Sequence, residues 1–113
     1  MDKICTSIEQ SKKLIELGID INTADMYWWP TSLRYYIETM DDGDFNEDEE
    51  HIRAWSLTAL FNMLPKSARL ERGSSTELCR VTLPVELKCS DWYLDPIDAV
   101  FEMVIWLKEN GKL

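Results

Sequence analysis

The stretch from Pro96 to Leu113 constrains this chain most, because it spells a complete helix with both ends marked. Asp95 is placed to accept backbone N–H bonds as the N-cap, and Pro96 falls at the first helical position, where no N–H is required. Ile97, Val100, Phe101, Val104 and Ile105 recur at the three- and four-residue steps of one helix face, and Trp106 and Leu107 widen the stripe. Lys108 lies in the last turn, where the helix dipole favours a cation. Gly111 follows, free to take the left-handed conformation that closes a helix. An apolar face this strong has to be buried, so the rest of the chain must supply a core for it.

Upstream, Thr6-Ser-Ile-Glu9 has the form of a capping box, a hydroxyl at the cap and a carboxylate three residues on. It predicts a helix of about eleven residues, with Ile8, Leu14, Ile15 and Leu17 inward and Gly18 as its stop. Residues 19–25 read as a polar turn. Met26-Tyr-Trp-Trp29 opens an aromatic stretch that Pro30 interrupts, and residues 33–39, rich in aromatic and β-branched side chains, predict a strand. A second helix is expected from Asn46-Glu-Asp-Glu49, or from near Arg53, to Pro65. Its core stripe would be Ile52, Trp55, Ala59, Leu60, Met63 and Leu64. Residues 66–75 read as a loop, whereas 77–83 and 85–89 alternate at a period near two, as half-buried strands do, with a bend at Pro84. The order is α-β-α-β-β-α: an α+β fold in which about three helices pack on a small antiparallel sheet, residues 1–113 forming a single globular domain.

Composition suits that fold. Of 113 residues, 45% are hydrophobic and five are Trp, ample for a core of this size. No run approaches the ~18 apolar residues of a membrane span, and the amino-terminal residues lack the basic-then-apolar order of a signal peptide. A cytoplasmic location is therefore expected. Cys5, Cys79 and Cys89 are odd in number and widely spaced, which reads as free thiols in a reducing compartment. A hairpin between their segments would bring Cys79 near Cys89, but spacing alone does not establish a disulfide.

The net charge of −9 suggests a cationic partner until it is mapped. Residues 1–40 carry six acids and four bases, and residues 51–113 carry eight of each. Residues 41–50, Asp41-Asp-Gly-Asp-Phe-Asn-Glu-Asp-Glu-Glu50, hold seven acids and no base, so nearly all of the imbalance sits there. Without a basic stripe to follow a phosphate backbone, direct nucleic-acid binding is not expected.

That decapeptide invites a calcium reading, since Asp42, Asp44 and Asn46 alternate, but an EF-hand loop starting at Asp42 needs Gly sixth and Glu twelfth. Glu47 and Arg53 stand there instead. His51 is the sole histidine, so a Cys/His zinc site has no conventional spacing to draw on. Phosphate-cradling motifs and the G-x-S-x-G elbow are missing from the sequence. Asp95 and Asp98 read as cap and dipole residues rather than as a hydrolytic pair. No cofactor or metal is implied. Tyr27, Trp28, Trp29, Tyr35 and Tyr36 form the most unusual local feature. Consecutive residues of a strand point to opposite faces, so either the sheet is covered on both sides or one face presents aromatics to solvent, where they suit a protein interface or a stacking platform for sugars or bases.

Five phrases carry a resemblance: residues 10–20 (Gln10-Ser-Lys-Lys-Leu-Ile-Glu-Leu-Gly-Ile-Asp20), Thr23-Ala-Asp-Met-Tyr27, Ala54-Trp-Ser-Leu-Thr-Ala-Leu60, Asn62-Met-Leu-Pro-Lys66 and residues 95–113. Together they resemble small uncharacterised proteins of bacteriophage, prophage and mobile elements of gut bacteria. The resemblance implies a bacterial accessory protein of phage type and carries no site residues with it. The leading expectation is therefore a non-enzymatic protein that binds another protein through Trp28, Trp29 and Tyr36, with Asp44 and Asp48 of the acidic segment as a second contact. It leaves homo-oligomers open and involves no membrane. An acidic nucleic-acid mimic that inhibits a DNA- or RNA-binding protein is the second expectation. A small-ligand binder or enzyme whose site forms only on folding is the third.

Overall fold

The computed structural model describes residues 3–30, 35–39 and 51–113. Helix α1 spans Ile8–Glu16, and its cap is Ser7 rather than Thr6. Gln10 N–H donates to Ser7 Oγ at 3.1 Å while Ser7 N–H donates to Gln10 Oε1 at 3.0 Å, so the capping box stands one residue later than expected. Gly18 closes the helix at φ +86°, donating to Ile15 O, and Ile19 N–H reaches back to Leu14 O. This closure seats Ile19 beside Leu14, and both are buried. A 3-10 turn, Ile21–Thr23, follows, capped by Asp20.

The strands make two separate three-stranded antiparallel sheets instead of one. In the first, β1 (Met26–Pro30) lies between β2 (Tyr35–Thr39) and β3 (Ile52–Ala54). β1 and β2 form a hairpin in the register Met26↔Thr39 to Pro30↔Tyr35. Strand β3 corrects the expectation of a long second helix. Its residues satisfy a helical spacing, but pairing with Met26, Tyr27 and Trp28 of β1 overrides that local preference. Only Leu57–Phe61 forms α2, capped by Ser56, whose Oγ accepts Ala59 N–H at 3.2 Å. Asp25 braces that cap by accepting Ser56 N–H at 2.8 Å.

The second sheet has the order β4 (Arg69–Arg72), β5 (Cys79–Leu83), β6 (Lys88–Cys89). Strand β4 lies in the segment expected to be a loop; its pairing from Arg69↔Thr82 to Arg72↔Cys79 creates it. The predicted strand at 85–89 shrinks to two residues, because Pro84 to Leu87 form the turn and Leu87 takes φ +54°. Cys79, Val81 and Leu83 alternate inward as expected of β5.

Helix α3 spans Pro96–Glu109, with Asp95 Oδ1 accepting Ile97 N–H at 2.9 Å and Gly111 at φ +68° beyond its end. Its buried face is Ile97, Ala99, Val100, Met103, Val104 and Leu107; Phe101, Ile105 and Trp106 flank it half-buried. The expected stripe is thus rotated toward Ala99 and Met103. This face packs on β5 and α2 and shares the main core with Leu14, Trp55, Leu60, Val81 and Leu83. A smaller core of Cys5, Met26 and Ala54, flanked by Trp28 and Ile37, underlies the first sheet. Thr6 joins the two. Its N–H donates to Trp55 O, its carbonyl accepts Trp28 Nε1, and its buried hydroxyl bonds Trp55 N–H and Ser11 Oγ.

Candidate functional site

Residues directly opposite across antiparallel strands share a face, so the register assigns the two sides of the first sheet. Met26, Trp28, Ile37 and Ala54 point to the smaller core, where Trp28 Nε1 donates to Thr6 O at 3.0 Å. Tyr27, Trp29, Tyr36 and Arg53 lie on the other face. There Tyr27 is buried, its ring edge-on to His51 with centroids 5.2 Å apart, and Arg53 Nη1 donates to Ile21 O at 3.2 Å. Trp29 and Tyr36 form a tilted ring pair with centroids 5.8 Å apart, Trp29 half-buried and Tyr36 40% exposed. Consecutive tryptophans thus take opposite faces. Trp28 anchors the sheet to the amino-terminal segment, and Trp29 with Tyr36 is what this sheet offers outward. Asp44 and Asp48, with the whole acidic decapeptide, lie outside the described residues.

The groups that invited catalytic readings have structural partners. Asp95 holds Lys3 N–H at 2.8 Å with the oxygen not used to cap α3. Asp98 Oδ1 accepts Lys3 Nζ at 2.6 Å and Gln10 Nε2 at 2.8 Å, fastening the amino-terminal segment and α1 to the start of α3. All three cysteines are free. Burial, reinforced by Asp25, pushes the Cys5 thiol up to about 12. Burial and then Asp95 raise that of Cys79, whose Sγ donates to Tyr93 O at 3.3 Å. Thiols held protonated in this way are poor nucleophiles. Cys89 is exposed and opposes Thr82, not Cys79. Among the described residues no group of three or more His, Cys, Asp or Glu is placed to hold a metal ion, and no helix is long and apolar enough to cross a membrane.

The outer face of the second sheet is polar and was not anticipated. Thr82 Oγ1 donates to Glu71 Oε1, and Arg80 Nε donates to the same oxygen at 3.4 Å. The Thr82 bond, followed by Arg80, lowers the Glu71 carboxyl below its ordinary range. The Arg80 guanidinium lies over the Trp92 ring, 4.5 Å from its centroid. On the side of the sheet that faces α3, Tyr93 OH donates to Glu102 Oε1 at 2.6 Å; that bond, and then burial, push the phenol up to about 12. The one local signal for this face is Gly73-Ser-Ser ahead of the alternating segment 77–83, a turn signature in outline. Taking residues 66–75 as a loop removed the strand that brings Glu71 to Arg80.

No protein-family model, curated protein or solved structure matches the chain.

Proposed function

We propose that this chain is a non-enzymatic accessory protein of phage type that acts in a bacterial cytoplasm by binding another protein, with Trp29 and Tyr36 at the centre of the contact. The observation that carries the reading is the Trp29–Tyr36 ring pair on the face of the first sheet turned away from its core. Paired aromatic rings bring large contact area with few rotatable bonds, and such residues dominate the energy of protein interfaces. Trp28, held by Thr6 in the smaller core, supports that face from beneath instead of joining the contact. The nucleic-acid-mimic reading keeps its weight on residues 41–50.

The test is capture from bacterial lysate with the tagged protein, with and without nuclease, read by mass spectrometry and followed by affinity measurement on the purified partner. Trp29→Ala and Tyr36→Ala should each weaken binding at least about tenfold, the loss expected of a central interface aromatic. Val85→Ser, on the exposed turn of the second sheet, should leave it unchanged. Absence of any stoichiometric partner, or a partner retained by both aromatic variants, would sink the proposal.

A further inference from the structure

Strand β4 forms one border of the second sheet, and its outer edge pairs with no strand among the described residues. The ladder fixes which backbone groups face that edge. Gly73 N–H donates to Leu78 O at 2.9 Å, so alternation makes Glu71 and Arg69 the residues of β4 that exchange hydrogen bonds with β5. The residues opposite the other two agree: Cys79 exchanges its backbone bonds with Tyr93, and Val81 bonds Ser90 through both its N–H and its carbonyl. The N–H and C=O groups of Leu70 and Arg72 therefore point out of the sheet, without a hydrogen-bond partner among the described residues.

The side chains of this edge divide by face. Leu70 and Arg72 stand on the side of Val81 and Cys79, and Leu70, 41% exposed, lines an open groove of about 340 Å³ with Leu57 and Phe61 of α2. Arg69 and Glu71 stand on the outer side. Arg69 is exposed and makes no hydrogen bond or ion pair with another described residue. Glu71 receives Thr82 and Arg80 on Oε1 and leaves Oε2 without a partner among the described residues. An open edge beside exposed apolar surface is a template for a further strand.

We propose that this edge pairs antiparallel with the same edge of a second copy of the chain, about a two-fold axis at Leu70, so that the second sheets of the two copies become one. Two identical edges can exchange hydrogen bonds only where outward-pointing residues meet, which leaves Leu70, Glu71 and Arg72 as possible centres. Centring on Glu71 sets that carboxylate against itself, and centring on Arg72 sets two guanidiniums together; like charges directly opposite are unfavourable. Centring on Leu70 lets it exchange both backbone bonds with its own copy and sets Arg69 of each chain opposite Glu71 of the other. Those charge pairs fall at the non-hydrogen-bonded positions, where side chains approach most closely, and Glu71 Oε2 is open to the incoming guanidinium. Leu70 and its copy meet beside Leu57 and Phe61, so each chain covers apolar surface that the other leaves open. The contact is smaller than the roughly 1,200 Å² at which standard interfaces begin, so the dimer is weak and reversible. It is independent of the proposed Trp29–Tyr36 contact, which uses the other sheet.

Sedimentation velocity of the full chain tests the proposal, and a monomer–dimer equilibrium should appear between about 10 µM and about 1 mM. Arg69→Glu and Glu71→Arg should each weaken self-association at least about tenfold, because both cross-strand pairs become like-charged. An equimolar mixture of the two variants should regain it, since each copy then meets the opposite charge at both positions, a recovery that misfolding cannot imitate. Leu70→Pro removes an outward N–H that the β4–β5 ladder does not use and should leave a folded monomer. A chain still monomeric at about 1 mM, a dimer untouched by Leu70→Pro, single charge variants that associate as wild type does, or a mixture no more associated than its components would each overturn the proposal.

Discussion

Replacing Thr6 by valine removes one oxygen while nearly preserving shape, so it isolates what that hydroxyl does. Thr6 is fully buried. Its Oγ1 accepts Trp55 N–H at 3.1 Å and shares a 2.7 Å hydrogen bond with Ser11 Oγ. The backbone bonds of Thr6 to Trp55 O and from Trp28 Nε1 survive the change. The variant therefore strands one buried N–H and one buried hydroxyl, each costing about 1–3 kcal/mol, for a loss of about 2–5 kcal/mol. That is a large part of the roughly 5–15 kcal/mol that stabilises a domain. Thr6→Ser keeps both bonds and loses a methyl group, about 1 kcal/mol. Adding Ser11→Ala to Thr6→Val removes the stranded hydroxyl, so the double variant should be more stable than the sum of the single losses by about 1 kcal/mol. Urea unfolding followed by tryptophan fluorescence reads wild type, Thr6→Val, Thr6→Ser, Ser11→Ala and the double variant. A Thr6→Val variant within about 0.5 kcal/mol of wild type, or Thr6→Ser as damaging as Thr6→Val, would refute the junction role.

Under native conditions a maleimide should modify Cys89 alone, with Cys5 and Cys79 reacting only after denaturation; rapid native labelling of Cys5, read by peptide mass spectrometry, would contradict its burial. Leu87 is 92% exposed and holds φ +54°, a conformation that asparagine adopts more readily, so Leu87→Asn should raise stability by about 0.5–1 kcal/mol in thermal or urea unfolding. Gly18→Ala should cost about 1 kcal/mol, because φ +86° is strained for any side chain. The Tyr93 phenol is raised from its usual value near 10 to about 12 by its bond to Glu102. The stability it contributes is thus complete below about pH 10 and lost as pH climbs through 12. Ultraviolet titration should show a late tyrosinate step that is lost in Tyr93→Phe.

Helix α3 was legible because its signals are local and redundant: Asp95, Pro96 and Gly111 mark its ends, and the apolar spacing needs no partner to be read. The start of α1 was legible only to within a residue. Thr6 and Ser7 both qualify as caps, and the choice is made by Trp28 and Trp55, which claim Thr6 from 22 and 49 residues away. Strand β3 was hidden for the same reason in stronger form. Ile52, Trp55, Ala59 and Leu60 fit one helix face, and only pairing with β1, more than twenty residues earlier, makes the first of them strand. Arg69-Leu-Glu-Arg72 carries almost no strand signal of its own and owes its conformation to β5.

The candidate surfaces follow the same division between local and distant causes. Alternation along a strand required Trp28 and Trp29 to face opposite ways, but which of them is inward depends on Cys5 and Ala54, and no local pattern contains that choice. The second sheet makes the point with charge. Residues 51–113 sum to zero, which argues against a basic stripe. Yet pairing of β4 with β5 commits Glu71 to Arg80 and Thr82, and the return of Trp92 sets its ring beneath the Arg80 guanidinium. Electrostatic attraction between solvated charges fades over about 8 Å at physiological salt. The field on the outer face of the second sheet is therefore set by Glu71 and Arg80 and not by a sum over the whole chain, and raising salt should weaken that half-exposed pair.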